Sequence, residues 1–203
     1  LIGALLDMRQ LALFTLASTM NLMLWQAMQL VAARVFFPAY SEVHRANPKN
    51  LIAVLYKARL TIVVPSWGLA ILFVFYGSHL MEMLYDERYH ESGIMLEQLA
   101  AGSLVACIWG SYSGVLLALG RVATMTMLMA IQIVCQFGAI YVGYHYWGGA
   151  GIVMGVTAAN WLMYPVQAIV MSRNGLWQPK LDLMFLAASV LIVVLAWPGL
   201  VRV

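Results

Sequence analysis

LALFTLASTMNLMLWQAMQLVAA, residues 11–33, carries no charged side chain over its whole length. A helix needs about 20 consecutive, mainly apolar residues to cross the hydrocarbon core of a bilayer, and this stretch meets that length. Comparable runs recur along the chain. The predicted spans, A to F, are about 11–37, 55–76, 94–119, 122–146, 150–172 and 181–201. A transmembrane β-barrel would instead show alternating segments of about ten residues, and these runs are too long and too continuously apolar for that. The sequence therefore predicts an all-α, polytopic transmembrane helix bundle of about six spans.

Composition agrees. Of 203 residues, 64% are hydrophobic and 9% are charged, against roughly 25% charged in soluble domains. So little charge cannot wet a globule of this size, so lipid must be the main solvent and membrane lipid the first partner. The net charge of +3 comes from basic residues scattered through short gaps. A nucleic-acid footprint needs a dense Lys/Arg patch on one face, so no nucleic-acid partner is expected.

The gaps set the topology. Gly120-Arg121 turns C into D, Trp147-Gly148-Gly149 turns D into E, and Asn174-Gly175 with Pro179 separates E from F. One side collects eight basic residues: Arg34, Arg45, Lys49, Lys57, Arg59, Arg121, Arg173 and Lys180. The other has Arg9, Arg88 and Arg202. The positive-inside rule places the first set on the cytoplasmic side. Glu82, Asp86, Glu87 and Glu91 then fall outside, with an interfacial aromatic belt at Tyr76, Tyr85, Tyr89, Tyr144, Tyr146 and Trp147. The chain opens in mid-pattern at Leu1, which reads as part of something longer.

Polar groups facing lipid are costly, so polar stripes on membrane helices turn to protein or water. Thr15, Ser18, Thr19, Gln26 and Gln29 share one face of span A. Gln132 and Gln136 are one turn apart on D. Thr157, Asn160, Tyr164 and Gln167 follow one another on E. Two readings stand: interhelical hydrogen bonds that hold a bundle together, or a hydrated cavity for a polar substrate. Arg34, one turn before Pro38, either snorkels to headgroups or meets a phosphate at the inner mouth of such a cavity. Gly151 to Gly155 and the Ser103–Gly114 segment read as close-packing faces. Cys107 and Cys135 read as core residues. Pro65 and Pro165 predict kinks.

No catalytic or metal site emerges. His44, His79, His90 and His145 are scattered, and neither a phosphate-binding loop nor a zinc motif is present. The chain is not expected to be an enzyme or to need a cofactor. Glu97 and Asp182 are expected at span ends, leaving no acidic residue deep in the membrane for ion coupling.

Several segments, in order, resemble the C-terminal half of a polysaccharide flippase. Val35 to Ser41, VFFPAYS, resembles that family's "FPalS" element. Met83 to Tyr89 resembles an outer "llfGe.Y" segment, with Asp86 where Gly is usual. Leu117 to Arg121 resembles "alGr", Gly148 to Gly151 resembles "yGl.Ga", and Leu1 to Ala17 resembles the lead-in to a first helix. The resemblance runs over most of residues 1–173. It implies a member of the multidrug, oligosaccharidyl-lipid and polysaccharide transporter superfamily, in which two six-helix lobes surround a central cavity. This chain would be one lobe, with the N-terminal lobe absent. The implied function is translocation of a lipid-linked oligosaccharide in a bacterial cytoplasmic (inner) membrane, for cell-surface polysaccharide such as lipopolysaccharide. Alternatives are a related exporter of drugs or of peptidoglycan lipid precursor, and a non-transporting scaffold. On the cavity reading of the polar stripes, the substrate-cavity residues are Thr15, Thr19, Gln26, Gln29, Arg34, Gln132, Gln136, Thr157, Asn160, Tyr164 and Gln167.

Overall fold

A computed structural model of the chain describes residues 3, 6–46 and 50–200. Among them all regular structure is helical. Helix α1, Met8–Val31, starts at Asp7, whose carboxylate accepts the Gln10 N–H at 2.7 Å as an N-cap. A wide π turn, Ala32–Phe36, leads directly into α2, Phe37–Ala46. Pro38 lacks an N–H and its ring would crowd the preceding turn of an ordinary α-helix. The wider π turn lets the chain stay helical past it, so span A runs on through residues read as a gap.

Helix α3, Leu51–Leu84, is longer than expected at both ends and stays helical through Pro65. A short 3₁₀ turn, Glu87–Tyr89, precedes α4, His90–Gly110, and after a break at Ser111 and Tyr112 comes α5, Ser113–Ala118. Helix α6, Val122–Arg173, doubles back at Gly148, whose φ of 60° and ψ of −137° suit glycine alone. Its limbs correspond to spans D and E. Helix α7, Pro179–Leu200, completes the set. Among the described residues, five helical stretches are long and apolar enough to cross a membrane, and the doubled-back α6 supplies two of the six predicted passes.

Helix α4 is the hub. Of residues 96–116 only Ser113 escapes full burial. Small side chains make this possible. Gly93 meets the backbone of Gly77 and Ser78 on α3, and Gly102 meets Thr157 on α6. The α6 limbs are equally close. A Cβ at Gly143, Gly151 or Gly155 would overlap the facing backbone of Gly151, Gly143 or Ala139 respectively. Close backbone approach replaces the hydrophobic drive that lipid cannot supply. Hydrogen bonds add to it: Ser92 donates to the Leu13 carbonyl at 2.9 Å, Thr157 to the Gln98 carbonyl at 2.7 Å, and Gln98 to the Leu200 carbonyl at 2.6 Å.

The ends of the helices sort as the basic residues predict. Arg9 pairs with Glu91 at 3.1 Å and Gly149 packs near Leu6 and Gln10, so these share one end. Ser113 reaches Gln29, and Gln178 reaches the Ile52 carbonyl, at the other. Lys49 and Arg202, and part of the resembling lead-in at residues 1, 2, 4 and 5, lie outside the described residues.

Candidate functional site

Four chambers follow one another along α1, each sharing wall residues with the next. The first, about 280 Å³, is bordered by Gln10, Phe14, Glu91 and Gln98. Phe14 also walls the second, about 380 Å³, where Ser18, Asn21 and Trp25 of α1 face Ser103 and Trp109 of α4 and Gln132, Gln136 and Asn160 of α6. Trp25, Trp109 and Gln132 border the third as well, about 270 Å³, with Gln29, Ser113 and Gln167. Gln29, Ser113 and Met125 lead into the last, about 240 Å³, beside Ala32, Ala33 and Phe37. From Gln10 to Phe37 the helical rise is roughly 40 Å at about 1.5 Å per residue. That exceeds the roughly 30 Å of hydrocarbon in a bilayer.

Among the described residues, no charged side chain lines the two central chambers. Their polarity is amide and hydroxyl, and much of it is already oriented. Ser103 donates to Asn21 Oδ1 at 2.8 Å and Ser113 donates to Gln29 Oε1 at 3.2 Å. The Trp109 indole N–H donates to the Asn160 carbonyl at 3.2 Å.

Of the candidate residues, Thr19, Gln132, Gln136 and Asn160 come together in the second chamber, and Gln29, Gln132 and Gln167 in the third. Five others lie elsewhere. Thr15 is exposed and donates to the Leu11 carbonyl of its own helix at 2.7 Å. Gln26 and Arg34 are exposed and border none of these four chambers. Thr157 turns to the Gln98 carbonyl and a separate, mostly apolar cleft with Trp197. Tyr164 is buried in the core, its hydroxyl without a described protein partner.

Two carboxylates expected at span ends are inside the protein. Glu97 is only 7% exposed and accepts the Ser78 backbone N–H at 2.8 Å. It sits two turns into α4, where the Gly77–Gly93 crossing closes over it. Asp182, in the first turn of α7, is wholly buried and bonds Arg59 at 2.6 Å. Arg59 is equally buried. Its guanidinium donates to Ser111 Oγ at 2.8 Å, the Tyr112 hydroxyl at 2.7 Å, Gln178 Oε1 at 3.2 Å and the Ile108 carbonyl at 3.2 Å, and stacks over the Tyr112 ring. The Tyr112 hydroxyl in turn donates to the other Asp182 oxygen at 2.9 Å. This closed network satisfies both charges. It also explains the break between α4 and α5: Ser111 and Tyr112 turn out of the helix where they hold Arg59.

Residues 1–94 match the sequence model of a family described as polysaccharide biosynthesis protein. Neither the curated proteins nor the solved structures offer a match to the chain. The matched segment covers α1 to α3 and the start of α4, and so includes Ser18, Asn21, Trp25 and Gln29 of the chamber wall. A role in polysaccharide assembly, at a membrane, is what this match supports.

Proposed function

From a chain whose first 94 residues match a polysaccharide biosynthesis protein family, we propose a membrane flippase that moves a lipid-linked oligosaccharide across a bacterial cytoplasmic membrane. In this reading the chain is one lobe, and a second lobe closes the chambers from the facing side. The observation that carries it is the series of chambers along α1, whose two central members are lined by amides and hydroxyls and, among the described residues, by no charged side chain. A sugar head needs a polar path, and neutral amides and hydroxyls exchange hydrogen bonds with it without trapping a counter-ion. The lipid tail needs no path, because it stays in the bilayer. Rocking one lobe against the other about such a site would expose it to each side in turn.

The test uses the protein in its own cell. Gln29, Asn160 and Gln167 are replaced together by Leu, and surface polysaccharide is quantified against the amount of protein in the membrane. Export should fall at least tenfold at equal abundance. Normal export from the triple variant would overturn the assignment of the chambers as the translocation path.

A further inference from the structure

Trp25 stands where the two central chambers meet, and it borders both. Its ring is tilted 49° from that of Trp109, with centroids 5.2 Å apart. The two indoles are held differently. Trp109 is 7% exposed and anchored through its N–H on Asn160. Trp25 is only part-buried, and its N–H has no hydrogen-bond partner among the described residues. The fold reserves a place for it: a Cβ at Gly110 would come within 2.5 Å of the Trp25 ring. The absent side chain on α4 is the seat of this indole.

The neighbours of the indole narrow what it could meet. A phosphate group on the ligand would call for cationic partners, and a cationic group for carboxylates. Among the described residues, neither charge type lines these chambers. The two chambers that meet at the ring are lined by apolar side chains and the neutral amides of Asn21, Gln29, Gln132, Gln136, Asn160 and Gln167, and Gln132 borders both. A flat apolar face with amides around it fits a ligand that is apolar across its faces and hydroxylated at its edge. That is the shape of a pyranose ring. A few placed polar groups on an otherwise apolar wall are the usual means of fixing such a ligand.

We propose that Trp25 is a stacking platform for a neutral sugar ring, with the Gln132 and Asn21 amides taking its hydroxyls. The proposal rests on the reading of the chambers as an oligosaccharide path and adds the recognition element within it. The platform takes one sugar at a time as the head passes from one chamber to the other. It selects for an uncharged residue there, and it leaves any phosphate that links sugar to lipid outside the central chambers.

Two measurements test it. In the native cell, Trp25→Phe keeps an aromatic face and Trp25→Leu keeps only bulk. Export should remain within about threefold for Trp25→Phe and fall at least tenfold for Trp25→Leu, at equal membrane abundance. Equal export from the two variants, high or low, would overturn stacking. Separately, the purified full-length protein is labelled with 5-fluorotryptophan, and the Trp25 resonance is assigned by its loss in Trp25→Phe. Maltotriose should shift that resonance and inorganic pyrophosphate should not. The reverse response would overturn the proposal. If the resonance shifts with maltotriose while the amide triple variant exports normally, the sugar site stands and the transport reading falls.

Discussion

Arg59 and Asp182 show how much a single residue's surroundings decide. Each would be ruinous alone in an apolar interior, and together they close a network that leaves neither charge unpaired. Removing one partner of such a pair strands the other and typically costs about 3–5 kcal/mol, whereas replacing both by apolar groups of similar size is often neutral. Asp182→Ala should therefore lower the thermal midpoint in detergent sharply, and Arg59→Met with Asp182→Leu should recover most of the loss. Recovery no better than the single variant would mean that the network holds the α4–α5 break through Arg59 itself. Neither residue was legible as a pair. Arg59 counts as a loop cation and Asp182 as a terminal charge until α3 and α7 are seen to pack on α4. The polar stripe on α1 was legible as a stripe but not in its direction. The face turned to the chambers, Ser18, Asn21, Trp25 and Gln29, is rotated by roughly 65° from the centre of the predicted stripe of Thr15, Ser18, Thr19, Gln26 and Gln29, at about 100° per residue, and Thr19 borders the second chamber from the edge. Thr15 and Thr19 return their hydroxyls to carbonyls one turn back on their own helix, at 2.7 Å each. Hydroxyls satisfied in this way say little about which face needs water. The same rotation on α6 keeps Asn160 and Gln167 at the chambers and sends Thr157 and Tyr164 to neighbouring helices.

At the scale of the element, the hairpin within α6 depends on glycine in two distinct ways. Gly148 supplies a backbone conformation that other residues reach only under strain. Gly143, Gly151 and Gly155 supply contact between limbs too close for any side chain. Gly138 lies on the first limb with open space around its missing Cβ. Gly151→Leu should drive the limbs apart and lower the yield of folded protein several-fold, while Gly138→Leu should be tolerated. Size-exclusion recovery of the two variants in detergent provides the comparison, and equal yields would contradict the close approach. The small-residue spacing made this face readable in advance, because close packing leaves a mark in composition. Helix ends were less readable. Spans A and B continue past their apolar runs, since the π turn at Ala32–Phe36 absorbs Pro38 and α3 buries Gly77 and Met81 beyond the run read as membrane. Hydropathy reports contact with lipid, and these extensions are stabilised by contact with protein. The central place of α4 was also hidden: its composition resembles that of its neighbours, and only packing shows that it is surrounded.

The whole molecule is a sided object, and its sidedness follows from charge. Arg9 and Arg88 lie at the end that also carries Glu82, Glu91 and the Gly148 turn, while Arg34, Arg45, Lys57, Arg121, Arg173 and Lys180 gather at the other. Arg59 belongs to that second end by position, but its charge is neutralised within the protein and cannot act on orientation in the folded state. Even without it the asymmetry is large, and basic residues in short gaps set which end stays in the cytoplasm. By that rule the first chamber, with Glu91, belongs to the outer end and the last, beside the π turn, to the cytoplasmic end. Under the proposed function the direction of travel depends on this assignment, because a head loaded at the cytoplasmic leaflet would meet Gln29 and Gln167 before Ser18 and Gln136. Single cysteines decide it. In a background with Cys107→Ala and Cys135→Ala, Glu87→Cys should react with a membrane-impermeant maleimide in intact cells, and Asn174→Cys only after permeabilisation. Both positions sit in turns between helices, so reactivity there reports the side of the membrane with little dependence on packing. The opposite pattern would invert the molecule and place the amides of the third chamber on the exit side, where they would receive the sugar head last.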